Sequence, residues 1–179
     1  MKIALVIALF FFPTLSFADK FSSDASYKIC FTPAQHCTDL IISTIANAQN
    51  QVLVQAYSFT SAPIAKALIQ AHKRGVEVKV ILDKSQFKTR GFSSAKFFTD
   101  YHLPLLVDYK PSIAHNKVMI IDKKTVITGS FNFTRAAEER NAENLIIITD
   151  AELAKRYAHN WELRAIESRA PATGGSPFE

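Results

Sequence analysis

Much of the usual chemical repertoire is thinly represented in this chain. Its 179 residues include two cysteines, two methionines, one tryptophan and five glycines. Two cysteines exclude a disulfide-dense scaffold and leave room for one bridge. No cluster of carboxylates of the kind that holds Mg²⁺ is visible, and no metal or other cofactor is expected. The longest apolar run, Ile3 to Phe12, falls short of the roughly 20 residues of a spanning helix, so no stable membrane anchor is expected. There is no internal repeat and no interdomain linker, which points to a single domain.

The N-terminus has a different pattern. Lys2 gives a positive start, the apolar run follows, Pro13 and Thr14 end it, and Ser16-Phe17-Ala18 sets small residues at −3 and −1 of a cleavage site. This is the three-part form of a secretory signal peptide over residues 1–18, and it predicts a periplasmic or secreted protein. Asp19 at +1 rules out a lipid-modified cysteine there. Cleavage would remove 18 of the 179 residues and one of the 21 basic ones. The mature chain, 19–179, would keep a net charge of about +4, and its domain, 19–170, has a size that supports a real core. In an exported chain, Cys30 and Cys37 suggest a disulfide. A metal site of Cys30, His36 and Cys37 is the alternative, but adjacent His36 and Cys37 fit the usual ligand spacings poorly.

Apolar spacing predicts alternating strands and helices. Tyr27 to Phe31, Val52 to Tyr57, Val76 to Leu82, Leu103 to Tyr109, His115 to Ile121, Thr125 to Thr128 and Leu145 to Thr149 read as strands. Thr38 to Asn50, a segment opened by Ser61-Ala62-Pro63 and ended by Gly75, part of Lys84 to Asp100, and Ala151 to Arg169 read as helices. Residues 171–179 are Pro/Gly/Ser-rich and read as a disordered tail. This order predicts an α/β sandwich whose sheet is mixed, largely parallel, and covered by helices on both faces.

The segment most informative about chemistry is His115-Asn-Lys117-Val-Met-Ile-Ile-Asp122, followed by Gly129-Ser130-Phe-Asn132. On a strand, residues i and i+2 share a face, so His115 and Lys117 project together. The ammonium disfavours imidazole protonation and also binds anions. A neutral imidazole beside an anion-binding lysine is what nucleophilic attack on a phosphate requires. Ser130 and Asn132 offer a hydroxyl and an amide to phosphate oxygens, and Gly129 lets backbone come close to a ligand. Glu143 opens the last strand, where a carboxylate bonded to the second imidazole nitrogen would fix the tautomer. Each feature alone has an ordinary structural reading; their joint occurrence at fixed offsets does not.

The pattern His115-x-Lys117-(x)4-Asp122-(x)6-Gly129-Ser130-x-Asn132 resembles the HKD motif of the phospholipase D superfamily at every motif position. The nearest likeness is to small exported bacterial endonucleases with one motif per chain. The resemblance implies the phospholipase D/nuclease fold from about Tyr27 to Ala165. His115 would be the nucleophile, forming a phosphohistidine. Lys117 and Asn132 would hold phosphate oxygens with help from Ser130, and Glu143 would orient His115. Asp122 belongs to the motif. Seven residues from His115, at a predicted turn, it reads as more structural than chemical.

Larger members of that superfamily join two HKD motifs in one site, whereas this chain has one His-x-Lys. Displacement at phosphorus needs both a base and an acid, so a homodimer with a shared active site is expected. Nucleic acid, DNA or RNA, is the expected substrate. The run Lys84-Ser-Gln-Phe-Lys88-Thr-Arg90-Gly-Phe92, with Lys96 beyond it, interleaves basic and aromatic residues as a polynucleotide contact does. The alternatives are a hydrolase acting on phospholipid headgroups and a non-catalytic polyanion-binding protein. The first would want an apolar rim, for which Phe97, Phe98 and Tyr101 are the candidates, although they read better as a helix face packed on the core.

Overall fold

The computed structural model describes residues 19–87 and 94–171. The expected signal segment, residues 172–179 of the expected tail and residues 88–93 lie outside the described residues. The chain runs β1 (Ser26–Thr32), α1 (Cys37–Ala46), β2 (Gln51–Ala56), α2 (Ala62–Lys73), β3 (Glu77–Asp83), a 3-10 turn (Lys84–Phe87) and α3 (Ser94–Asp100). It continues through β4 (Leu105–Asp108), β5 (Lys117–Ile121), β6 (Thr125–Gly129), α4 (Arg135–Glu139), β7 (Glu143–Thr149) and α5 (Ala151–Glu167).

The seven strands form one sheet in the order β1-β7-β6-β5-β2-β3-β4. It is mixed and lies between helices, as expected, but the proportions differ. Only β2-β3-β4 is parallel, and the pairs from β2 through β5, β6 and β7 to β1 are antiparallel. The tight Asp122-Lys123 turn forces β5 and β6 into a hairpin, with both residues at positive φ (52° and 53°). β7 then returns antiparallel to β6 after a longer connection that holds α4.

The central strands are apolar on both faces because helices cover both. Val52, Val54, Val78, Val80, Leu82, Met119, Ile121 and Ile127 pack with Ile41, Ile45, Ile64, Leu68 and Phe98 on the α1–α3 side. Leu53, Ile81, Val118, Ile120 and Val126 meet Ala154, Ala158 and Trp161 of α5 on the other. The Trp161 indole N–H donates to the Val54 carbonyl at 2.9 Å, and Arg164 grips the buried Asp108 carboxylate with two nitrogens. Ser61 and Asp150 cap α2 and α5, accepting from the Ile64 and Leu153 N–H groups. Cys30 and Cys37 are joined in a disulfide that ties β1 to α1, which removes the Cys30/His36/Cys37 metal alternative.

Candidate active site

The carboxyl ends of β2 and β3 and the start of antiparallel β5 converge at one end of the sheet. Ala56 lies opposite Lys117, and Gly129, ending β6, lies opposite Leu145, two residues into β7. This end therefore gathers His115, Lys117, Ser130 and Glu143 from three segments of the chain.

β5 begins later than the sequence predicts. His115 precedes it, on the irregular segment after β4, and is exposed. Its ring lies 4.6 Å from the Tyr57 ring, tilted by 53°. Among the described residues no hydrogen bond reaches the imidazole. Lys117 contrasts with it. It is 8% exposed, and its ammonium donates to the His115 carbonyl at 3.0 Å and lies 5.3 Å from the centre of the Tyr57 ring. Burial pushes its pKa below the ordinary lysine value, and the negative field of Glu143 opposes that shift. With one hydrogen bond among the described residues, two of its three donors remain for an anion. Tyr57 touches both groups at a strand end, the usual place for a ligand site in α/β sheets, yet its sequence carries no motif signal.

Gly129 has a different role from the one expected. Its φ is 144°, and a Cβ there would meet the Asn144 carbonyl oxygen at 2.2 Å. The close approach it permits is that of β7, not of a ligand. Ser130 also bonds across this contact: its hydroxyl donates to Glu143 Oε2 at 2.6 Å and accepts the Asn144 N–H at 3.0 Å. The other Glu143 oxygen accepts from Asn141 at 2.8 Å. Glu143 is thus bonded to Ser130 and Asn141 and, among the described residues, not to His115 of its own chain. Asn132 lies between the buried Phe131 and Phe133, and its side-chain oxygen is buried without a hydrogen-bond partner among the described residues.

Asp122 is at the opposite end of β5, about 16 Å from Lys117 at the rise of an extended strand. Its carboxylate accepts the backbone N–H groups of Gln49, Asn50 and Gln51 at 2.7–2.9 Å. Partial burial pushes its pKa up, but these three donors hold it below the ordinary value. The motif aspartate therefore fastens the β5–β6 turn to the start of β2, away from the histidine.

The basic run divides. Lys84 is not free for a polynucleotide, because its ammonium donates to the Pro111 and Tyr109 carbonyls at 2.8 and 3.3 Å. Lys96 is exposed and paired with Asp100. Lys88 and Arg90 lie outside the described residues. In the aromatic trio, Phe98 is fully buried against Phe59, as expected, whereas Tyr101 is 43% exposed and packs on Phe97. Among the described residues, no group of three His, Cys, Asp or Glu gathers as a metal site, and no helix is long and apolar enough to cross a membrane.

Comparison with known proteins gives this geometry a family. A family profile described as the cardiolipin synthase, phospholipase D-like domain matches residues 41–163. A phospholipase D of Rickettsia conorii is 49% identical over 139 residues, covering 78% of this chain and 69% of that protein. A mitochondrial cardiolipin hydrolase of Xenopus laevis is 31% identical over 150 residues, covering 82% and 70%. Among solved structures, the phospholipase D family member Nuc from Salmonella typhimurium superposes with a TM-score of 0.77 at 36% identity, over 84% of this chain and 100% of that one. The chain belongs to the phospholipase D superfamily and is a phosphodiesterase of that family.

Proposed function

We propose that this phosphodiesterase is an exported, sequence-nonspecific endonuclease that cleaves DNA, and RNA as a second polynucleotide, without a metal ion. The observation that carries the chemistry is the pairing of an exposed His115, whose imidazole has no hydrogen bond among the described residues, with the buried Lys117 ammonium, which there keeps two donors to spare. A neutral His115 nitrogen attacks phosphorus, a histidine–phosphorus bond forms, and the ester oxygen departs with a proton from a second histidine. That second imidazole, now neutral, takes a proton from water. The resulting hydroxide attacks the phosphohistidine, displaces His115 and gives the second product. Lys117, with the Asn132 amide, offsets the charge that grows on the phosphate oxygens.

Each chain offers one such histidine, so the second is the partner's His115 in a two-fold dimer. The surface supports this reading. α5 covers β2, β4, β5 and β6 on its face of the sheet, but Tyr27, Ile29 and Phe31 of the edge strand stay 71%, 47% and 53% exposed on that same side. The strip ends at Phe31, opposite Asn144 and next to Glu143, at the active end of the sheet. A second copy that buries it is brought up to the site. Glu143 of one chain then stands where it can orient the partner's His115.

A polynucleotide is favoured by the basic balance of the chain, net +5, and by its likeness to Nuc over the whole of that chain. The Rickettsia and Xenopus relatives, a phospholipase D and a cardiolipin hydrolase by name, favour a second reading in which the diester is a phospholipid headgroup. Plasmid DNA and phospholipid vesicles, each incubated with the protein in excess EDTA, separate the two. Nicked plasmid with intact lipid, lost in His115→Ala, is the expected outcome. Lipid hydrolysis alone selects the second reading, and activity that returns only with Mg²⁺ removes the metal-free mechanism.

A further inference from the structure

The nucleophile rides on a segment with no regular structure of its own. Between β4 and β5, residues 109–116 form neither helix nor strand. His115 is exposed and no hydrogen bond among the described residues holds its imidazole, so its place is set mainly by its backbone and by the Tyr57 ring beside it. That backbone is fastened on both sides. On one, the Asn116 carbonyl accepts the Tyr57 N–H at 2.8 Å. On the other, the Ala114 N–H donates to Asp83 Oδ2 at 2.7 Å. Asp83 ends β3 and is 2% exposed, and its other oxygen accepts the Ser85 N–H at 2.8 Å. The next residue, Lys84, reaches the Pro111 and Tyr109 carbonyls of the same segment.

A buried carboxylate is costly unless its oxygens are bonded. Here they are spent on two backbone donors, one of them adjacent to the nucleophile. Lys84, next in the chain, grips the stem of the segment through two carbonyls. The pair is local in sequence but acts about thirty residues away, which fixes the His115 segment to a central strand of the sheet.

We propose that Asp83 is the positioning residue for His115, with Lys84 as its helper. Through the Ala114 N–H it holds the imidazole at the distance and angle needed for attack on phosphorus, and it touches neither substrate nor the reacting atoms. This rests on the reading of His115 as nucleophile. The expected consequence is a loss in the chemical step with little change in phosphate binding, because Lys117 and Asn132 stay in place. A displacement near 1 Å costs about 100-fold in rate.

The test uses the whole folded protein and bis(p-nitrophenyl) phosphate, a diester with no polynucleotide or lipid part. Asp83→Asn keeps the shape and one acceptor oxygen, Asp83→Ala keeps neither, and Lys84→Met removes the helper. Asp150→Ala is the control for lost stability, since that buried carboxylate caps α5 and bonds Ser22 at the far end of the sheet. The expected result is a graded fall in kcat, Asp83→Ala below Asp83→Asn and approaching about 100-fold, with KM nearly unchanged and Asp150→Ala retaining wild-type kcat. If Asp83→Ala does not fold, Asp83→Asn and Lys84→Met decide. The inference is overturned if the wild type turns over, His115→Ala does not, and the Asp83 variants keep wild-type kcat or lose no more than an Asp150 control of equal Tm. A wild type that leaves the diester intact overturns the nucleophile reading itself, and this proposal with it.

Discussion

Three residues of the motif have three kinds of environment. Among the described residues, His115 is exposed with no hydrogen bond to its imidazole, Lys117 is buried with donors to spare, and Asp122 is fully occupied by backbone. Two predictions follow from the two charged ones. Burial holds the Lys117 pKa below its ordinary 10.5, and the mechanism needs the ammonium, so activity falls as pH rises through that lowered value. The pH–rate profile should show an alkaline limb beginning below 10.5, and Lys117→Arg should remove the limb even if it lowers the rate. A limb unchanged in the arginine variant assigns it to another group. Asp122 acts in the opposite sense. Its pKa is lower folded than unfolded, so its stabilisation is complete above the unfolded value of about 3.8 and drains away as pH falls through the folded value. Asp122→Asn should cost about 1–2 kcal/mol near neutral pH, the scale of a charge-assisted backbone cap, and should show a shallower acid decline. Denaturant melts at two pH values check this; equal costs at both would mean that the charge is irrelevant. The residue types and spacing of the motif were legible in the sequence. Burial and hydrogen-bond partners were not, because they belong to neighbours distant in the chain.

At the scale of elements, the sequence placed the strands and four of the helices to within a few residues, because alternation and apolar runs report the covered faces directly. It gave no sign of α4, a five-residue helix whose only strong signal is the Thr134 cap on the Ala137 N–H. It also gave Gly129 to a ligand where the structure gives it to β7. Gly129→Ala combines a 2.2 Å contact on the Asn144 carbonyl with a strained φ of 144°. We expect a loss of more than about 2 kcal/mol in urea unfolding, by steric overlap and backbone strain together. A change within about 0.5 kcal/mol, the scale of an indifferent surface substitution, would mean that β6 and β7 can separate without penalty.

At the scale of the molecule, the open question is assembly. If the active site lies on a two-fold axis, a dimer holds one working site, and a mixed dimer of wild-type and His115→Ala chains lacks either the nucleophile or the acid. Isolated through two different affinity tags, such a dimer should be impaired by orders of magnitude, since a missing general acid alone costs about 10²–10⁴-fold. Half the wild-type rate would show that each chain works alone, and the shared site would be abandoned.

The sequence by itself determined the family motif and the layers. The HKD spacing marks the candidate reacting groups, and the periodicity of apolar residues sets which faces are buried, because both are local in the chain. It also marked Cys30 and Cys37 as a pair, now seen bonded. Only the tertiary structure decided the rest. It made the sheet mostly antiparallel, since direction depends on which strands become neighbours. It turned Asp122 away to a backbone anchor and took Lys84 from the surface to hold the segment that carries His115. It gave Glu143 to Ser130 and Asn141. In each case a polar group took the partner that folding brought within reach, since leaving a buried or half-buried donor or acceptor unpaired costs free energy.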